Sequence, residues 1–239
     1  MKTSNKFLIL ITIVIISFMV IYNNDLKAEY LKGAFRNRFY QMEQLSFKNF
    51  SNVRHNSADK IGIHIEKGDK YQVWIKSDLK DKIAFKQHGK TLFIVSKEGT
   101  RTWGYGDGII IVCPQLDSLT TVMDAETNRR KVDYKNAWYV NPNVIAGFNQ
   151  PKMVININKV TGVTLIGNQI DDLQATVGDK LIGKAYLNIS ASNNIKQANL
   201  QVPGKSELEL SNATIGKLNY VIADEAKVTL SGRSLSLVK

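Results

Sequence analysis

Apolar residues recur along the second half of the chain at a fixed spacing. Leu165, Ile170, Leu173 and Val177 stand five, three and four residues apart, and Leu210, Ile215, Leu218 and Ile222 repeat that spacing. Ile189, Ile195, Ala198 and Val202 lie between them, and Leu230, Leu235 and Val238 close the series. The leading positions fall at 165, 189, 210 and 230. Within each unit the residues alternate, as in Tyr186-Leu187-Asn188-Ile189 and Glu207-Leu208-Glu209-Leu210, with one face aliphatic and the other polar. Period-two alternation marks a half-buried strand. Gly167, Ala191, Asn212 and Gly232 follow these segments, and Gly and Asn tolerate the positive φ of a corner. Two short strands and two corners per unit predict an all-β fold, a single-stranded β-helix or solenoid of about 20–24-residue coils. The competing arrangement is a meander of hairpins in a sandwich. Equal spacing over four units favours the solenoid, because a sandwich does not require repeats.

Residues 45 to 123 read as further strands. Ile61, Ile63 and Ile65 alternate with Gly62, His64 and Glu66; Gly68-Asp69 signals a turn; Tyr71, Val73 and Ile75 alternate with Gln72, Trp74 and Lys76. Thr91 to Ser96 and Ile109 to Val112 are apolar enough for burial on both faces. Helical periodicity is confined to the N-terminus.

Four segments in this half, Phe50-Ser51-Asn52-Val53, Ile61 to Val73, Lys90-Thr91-Leu92 and Ile109 to Leu119, resemble the opening of the auto-transporter adhesin head GIN domain family. The resemblance is strongest over residues 47 to 123. It implies an exported β-helical module of Bacteroidetes-type bacteria that acts as a surface or periplasmic binding domain. The later turns depart from the family's repeated Gly-Ser-Gly and use Gly167, Asn212 and Gly232-Arg233.

The N-terminus adds a membrane element. Lys2 and Lys6 precede Phe7 to Tyr22, sixteen residues without a charge. As a helix this run reaches ~24 Å, slightly less than a hydrocarbon core. A positive flank before an apolar run is an export signal, and Leu26-Lys27-Ala28 matches a small-x-small cleavage site poorly. An uncleaved signal anchor is therefore favoured over a cleaved signal peptide. The expected organisation is a signal anchor or transmembrane segment over 1–28, a connector or cap over 29–46, and the adhesin-head-like domain over 47–239. The expected location is the bacterial cell envelope, with the C-terminal domain on the periplasmic side of the inner membrane, or secreted if the signal is cleaved.

Charge sharpens the choice of partner. The chain of 239 residues carries a formal +11, and its first 28 residues hold three lysines and one aspartate, so the remainder keeps +9. Such a balance suits anionic glycans or other envelope components; export removes nucleic acid as a partner. Two aromatic, turn-rich stretches, 101–108 and 136–151, together with a basic cluster after residue 128, offer candidate contacts: Trp103, Tyr105, Arg129, Arg130, Trp138 and Tyr139. Exposed aromatics there could stack on sugar rings; packing of the loops against the body is the plainer reading.

Catalytic signals are weak. His55, His64 and His88 are not spaced with Cys, Asp or His as metal ligands, and no cofactor fingerprint occurs. The lone Cys113 reads as a buried strand residue. The paired acids Asp124 with Glu126, Asp171 with Asp172, and Asp224 with Glu225 fall at expected corners, where Asp serves turns. The sequence thus predicts a non-catalytic, membrane-anchored binding or adhesion module without cofactor or metal. A polysaccharide-active enzyme and an end-to-end polymerising scaffold are the alternatives.

Overall fold

The computed structural model describes residues 3–33, 36–97, 107–123, 143–158, 161–179 and 184–238. The chain divides into two compact units, Met1–Met42 and Glu43–Lys239.

The first unit is dominated by the helix α1 (Thr3–Lys32), of 30 residues, with no buried side chain. Its apolar window has a mean hydropathy of 2.3, and it is long and apolar enough to cross a membrane, a property shared with signal sequences. Thr12 and Ser17, within the apolar stretch, bond back to the helix: Thr12 Oγ1 donates to Leu8 O at 2.9 Å and Ser17 Oγ to Ile13 O at 2.8 Å. An apolar medium demands such internal partners.

The second unit is built of strands. The first eight are β1 (Met42–Leu45), β2 (Asn52–His55), β3 (Gly62–Lys67), β4 (Gln72–Lys76), β5 (Ile83–His88), β6 (Thr91–Ser96), β7 (Asp107–Cys113) and β8 (Ser118–Thr121). Nine follow: β9 (Asn143–Ala146), β10 (Asn149–Ile157), β11 (Gly162–Ile166), β12 (Gln169–Val177), β13 (Tyr186–Ile189), β14 (Asn194–Val202), β15 (Glu207–Ser211), β16 (Thr214–Ile222) and β17 (Lys227–Ser231). They form two mixed sheets. Sheet A has the order β1-β4-β7-β3-β9-β11-β13-β15-β17, and sheet B the order β16-β14-β12-β10-β8-β2-β6-β5. The inward rows of both sheets meet in one core that includes Val53, Ile65, Ile111, Leu119, Ile155, Leu165, Leu187 and Leu200.

This architecture corrects the expected single-stranded β-helix. The chain is not all-β, since α1 is a long helix. Its strands belong to two large sheets facing each other as in a sandwich, and those sheets contain antiparallel pairs, β4 with β7 and β5 with β6. Strand β3 also lies between β7 and β9, out of chain order. The even spacing has a different origin from the one expected. From β9 onward the chain alternates between the sheets, and every neighbour within a sheet is parallel. Leu165 pairs with Ile145 and Ile189, and Leu210 with Ile189 and Leu230. The spacing measures the chain length between successive strands of one sheet, and carries no information on how the earlier strands pair.

Buried asparagines fix the corners of this half. Gly147 and Gly167 take φ of 74° and 66°, and the next turn inward holds Phe148 and Asn168. Asn168 accepts from Phe148 N at 3.0 Å and donates to Ile145 O at 3.0 Å and to Asn193 Oδ1 at 2.9 Å. Asn193 in turn donates to Leu165 O at 2.7 Å and to Ser190 O at 3.0 Å. The ladder satisfies backbone groups that a corner takes out of the sheet.

Candidate functional site

The six residues expected to contact a ligand, Trp103, Tyr105, Arg129, Arg130, Trp138 and Tyr139, lie outside the described residues, as do Asp124 and Glu126. The outward face of sheet B, by contrast, can be followed residue by residue.

Parallel, in-register pairing forces residues of one kind into rows across sheet B. One outward row runs Asn52, Ser118, Val154, Gln174, Asn199 and Asn219. The next runs Arg54, Thr120, Asn156, Thr176, Gln201 and Val221. A third, shorter row is Lys152, Asp172, Gln197 and Lys217. The rows stand outward because Val53, Leu119, Ile155, Ala175 and Leu200, their neighbours along the strands, point into the core.

The polar groups hold one another in place. Asp172 accepts from Gln174 Nε2 at 2.9 Å and from Asn199 Nδ2 at 3.0 Å; Asn219 Nδ2 donates to Asn199 Oδ1 at 2.8 Å; Ser118 Oγ donates to Asn52 Oδ1 at 2.7 Å. A primary amide has two donor hydrogens and an acceptor oxygen, so these bonds orient each amide and leave capacity over. The result is a broad plane of preset donors and acceptors, repeating at the strand separation of about 4.8 Å. Its charges are mainly positive: Arg54, Lys152 and Lys217 face the single acid Asp172.

The outward face of sheet A differs. Trp74, Ile110, His64, Val144, Thr164, Asn188, Glu209 and Thr229 form one row, apolar at one end and polar at the other. Near the polar end the Tyr186 hydroxyl donates to Glu209, which also accepts from Ser211 Oγ at 2.7 Å. The hydrogen bond from Tyr186 holds the Glu209 carboxyl below the usual range, while burial, and then the carboxylate itself, pushes the Tyr186 phenol up. Lys184 and Lys227 flank Glu207 at 3.6 and 3.9 Å.

The remaining chemistry-bearing residues are engaged structurally. Asp171 and Asp172 are neighbours on β12 and do not flank a cleft together; Asp171 pairs with Lys196 at 2.7 Å, and Asp172 belongs to the amide rows. Asp224 and Glu225 are exposed in the β16–β17 turn, with Glu225 at 3.9 Å from Lys205. His55 is fully buried and donates from Nε2 to Ile61 O at 2.8 Å. His64 lies 3.5 Å from Glu66, and His88 meets Phe93 edge-on at 5.5 Å. Burial pushes the Cys113 thiol up to about 12, so it is not a nucleophile near neutral pH. Among the described residues, no three His, Cys, Asp or Glu side chains gather as metal ligands. Apart from Asp172, read only as half of an acid pair, the residues of these rows were not singled out in the sequence. Their only trace was the polar half of the alternation, which any solvated strand shows.

No family model and no curated protein matches the chain. Membership in the GIN domain family is therefore not established. Among solved structures the chain is similar to a "putative adhesin" from Bacteroides fragilis NCTC 9343, with 16% identity over 80% of this chain and 93% of that one and a TM-score of 0.49. It is also similar to a "putative lipid binding protein" and a "putative adhesin", both from Parabacteroides distasonis ATCC 8503. Each shows 14% identity over 80% of this chain and 94% of the other, with TM-scores of 0.36 and 0.38. No score reaches 0.5, so function has to be argued from the chain's own residues.

Proposed function

We propose that this chain is a non-catalytic binding module of the bacterial cell envelope, anchored by the segment around residues 1–28, joined by a connector over 29–46, and binding extended acidic glycans through the domain over 47–239. The observation that carries this reading is the in-register plane of amides and hydroxyls on sheet B. A glycan laid across the strands meets oriented polar groups at Asn52, Ser118, Gln174, Asn199 and Asn219, and Arg54, Lys152 and Lys217 supply the opposite charge. Among the described residues the acid pair on this sheet, Asp171 and Asp172, is already engaged by Lys196 and by Gln174 and Asn199, an arrangement suited to binding. Trp103, Tyr105, Arg129, Arg130, Trp138 and Tyr139 are proposed as additional stacking and charged contacts.

Full-length protein in neutral detergent, applied to an array of acidic and neutral glycans at two salt concentrations, tests the reading. Salt-sensitive binding to acidic glycans, weakened by Asn199→Ala and Gln174→Ala with stability retained, supports it. Absence of binding to every glycan at low salt overturns it.

A further inference from the structure

The edge of the sandwich where the chain enters it carries a charge that the glycan site does not use. From Lys80 to Lys97 there are five lysines and one aspartate. Lys86, Lys90 and Lys97 are exposed, as is Lys48 nearby, and none of these four has an ion pair among the described residues. They surround β5, which pairs with β6 on one side only and is the last strand of sheet B. At the opposite end Lys205 and Lys227 have the carboxylates Glu225 and Glu207 within 3.9 Å and the β16–β17 turn adds Asp224, while Lys217 stands exposed on β16.

The chain enters the sandwich along this basic edge. The segment that opens the sandwich runs along β5: Glu43 pairs with Lys80 just before it, the Phe47 ring lies 5.9 Å from Phe85, and Gln87 Nε2 donates to Lys48 O at 2.8 Å. Nine residues separate Lys32, the last of α1, from Met42, the first of β1. Fully extended they span at most about 30 Å. Turn hydrogen bonds from Tyr40 N to Asn37 O and from Met42 N to Phe39 O shorten that reach. With α1 as an anchor, this linker sets an upper bound on the distance between the bilayer and the start of the sandwich, and a predominantly basic cluster within that bound is drawn to acidic headgroups.

We propose that the β5 edge docks on an anionic phospholipid surface through Lys48, Lys86, Lys90 and Lys97, orienting the sandwich on its anchor. The inference rests on α1 being a membrane anchor. Docking also covers the free hydrogen-bonding edge of β5, which would otherwise be exposed to pairing with another chain.

The test uses the full-length protein reconstituted in vesicles of phosphatidylcholine alone or of phosphatidylcholine with a third phosphatidylglycerol. Hydrogen exchange is followed in peptides covering 82–92 and, as a control, 214–231. Docking predicts several-fold slower exchange over 82–92 in the anionic vesicles only, reversed by high salt and abolished by the triple variant K86Q/K90Q/K97Q, with the control peptides unchanged. Equal exchange in the two vesicles, with the protein floating in both, overturns docking and leaves the anchor intact; lysines that only guard an edge strand give this result. A difference that survives the triple variant also overturns it. Failure to float with either vesicle removes the anchor, and docking with it.

Discussion

Residues 143–231 and residues 43–123 build the same two sheets by different rules. In the later half each strand pairs parallel with the strand two further along the chain, and the sheets alternate without exception among the described strands. In the earlier half β5 and β6 form an antiparallel hairpin closed by Gly89 at φ 56°, β4 runs antiparallel to β7, and β2 waits for β8, whose Ser118 lies 66 residues beyond its partner Asn52. A period specifies the later half; individual chain reversals specify the earlier one. Because one core runs through both, the two halves are expected to stand or fall together.

Matched truncations test that expectation with the largest effect. Leu165 in the later half and Ile111 in the earlier are both fully buried in sheet A. Leu165→Ala and Ile111→Ala should each lower stability by about 2–5 kcal/mol, through lost burial and the cavity left behind. Denaturant unfolding followed by tryptophan fluorescence and by circular dichroism should show one coincident transition in both variants. Two separated transitions would mean that the halves are independent and that the shared core does not couple them.

The halves also differ in what they bury. The later half buries hydrogen-bonded asparagines, and the earlier half buries a titratable ring. Burial lowers the His55 pKa to about 4, against the opposing pull of the Ile61 and Ile94 backbone. Above the ordinary histidine value of about 6.5 the ring is neutral whether the chain is folded or not, and the full stability is present. Between pH 6.5 and about 4 the unfolded chain gains a proton that the folded chain refuses, so stability falls with pH, by about 3 kcal/mol in all. Urea midpoints measured across that range should fall more steeply for the natural protein than for His55→Gln. Equal slopes in His55→Gln and the natural protein would place the acid sensitivity elsewhere.

The corner ladder of the later half predicts a smaller effect. Asn168→Ala strands Phe148 N–H and Ile145 C=O inside the corner and should lower stability by about 1–3 kcal/mol. Asn193→Ala, which removes bonds to Leu165 O and Ser190 O, belongs in the same range. Additivity of the two would indicate separate corners; a double variant milder than the sum, as expected from the Asn168–Asn193 bond, would identify one connected ladder.

These contrasts also mark what the sequence could reveal. The strands from Gly162 onward were legible because alternation of Leu, Ile and Val with Asn, Gln and Thr is imposed by a pleat with one buried face. Positive φ was legible at Gly167, Asn212 and Gly232, and the structure has it at each. Strand direction was not, since a period of two is the same read forwards or backwards; the antiparallel β5–β6 and β4–β7 pairs and the two-sheet division therefore escaped. The apolar run at Phe7–Tyr22 was legible, yet α1 continues to Lys32, because Leu26, Lys27, Ala28 and Glu29 favour a helix and no breaker intervenes. The polar character of Gln174, Asn199 and Asn219 was visible, but their alignment in one row depends on register, which only pairing partners set.

The far end of the rows should show the weakest response. Val221 closes the row that contains Arg54 and Gln201, and it is 71% exposed on β16, the last strand of sheet B. A β-branched residue suits the strand whether its tip is methyl or hydroxyl, so Val221→Thr should change stability by no more than about 0.5 kcal/mol. The hydroxyl would extend the polar row by one strand, beside Gln201, and the glycan array described above should register equal or slightly stronger binding. A stability loss above about 1 kcal/mol, measured by urea unfolding at two protein concentrations, would show that Val221 is covered in solution. Dependence of that loss on concentration would identify the cover as a second copy of the chain. The end of the sandwich away from the lysine-rich edge would then be an interface, in contrast to the free edge that its exposed Tyr220, Val221 and Val228 now present.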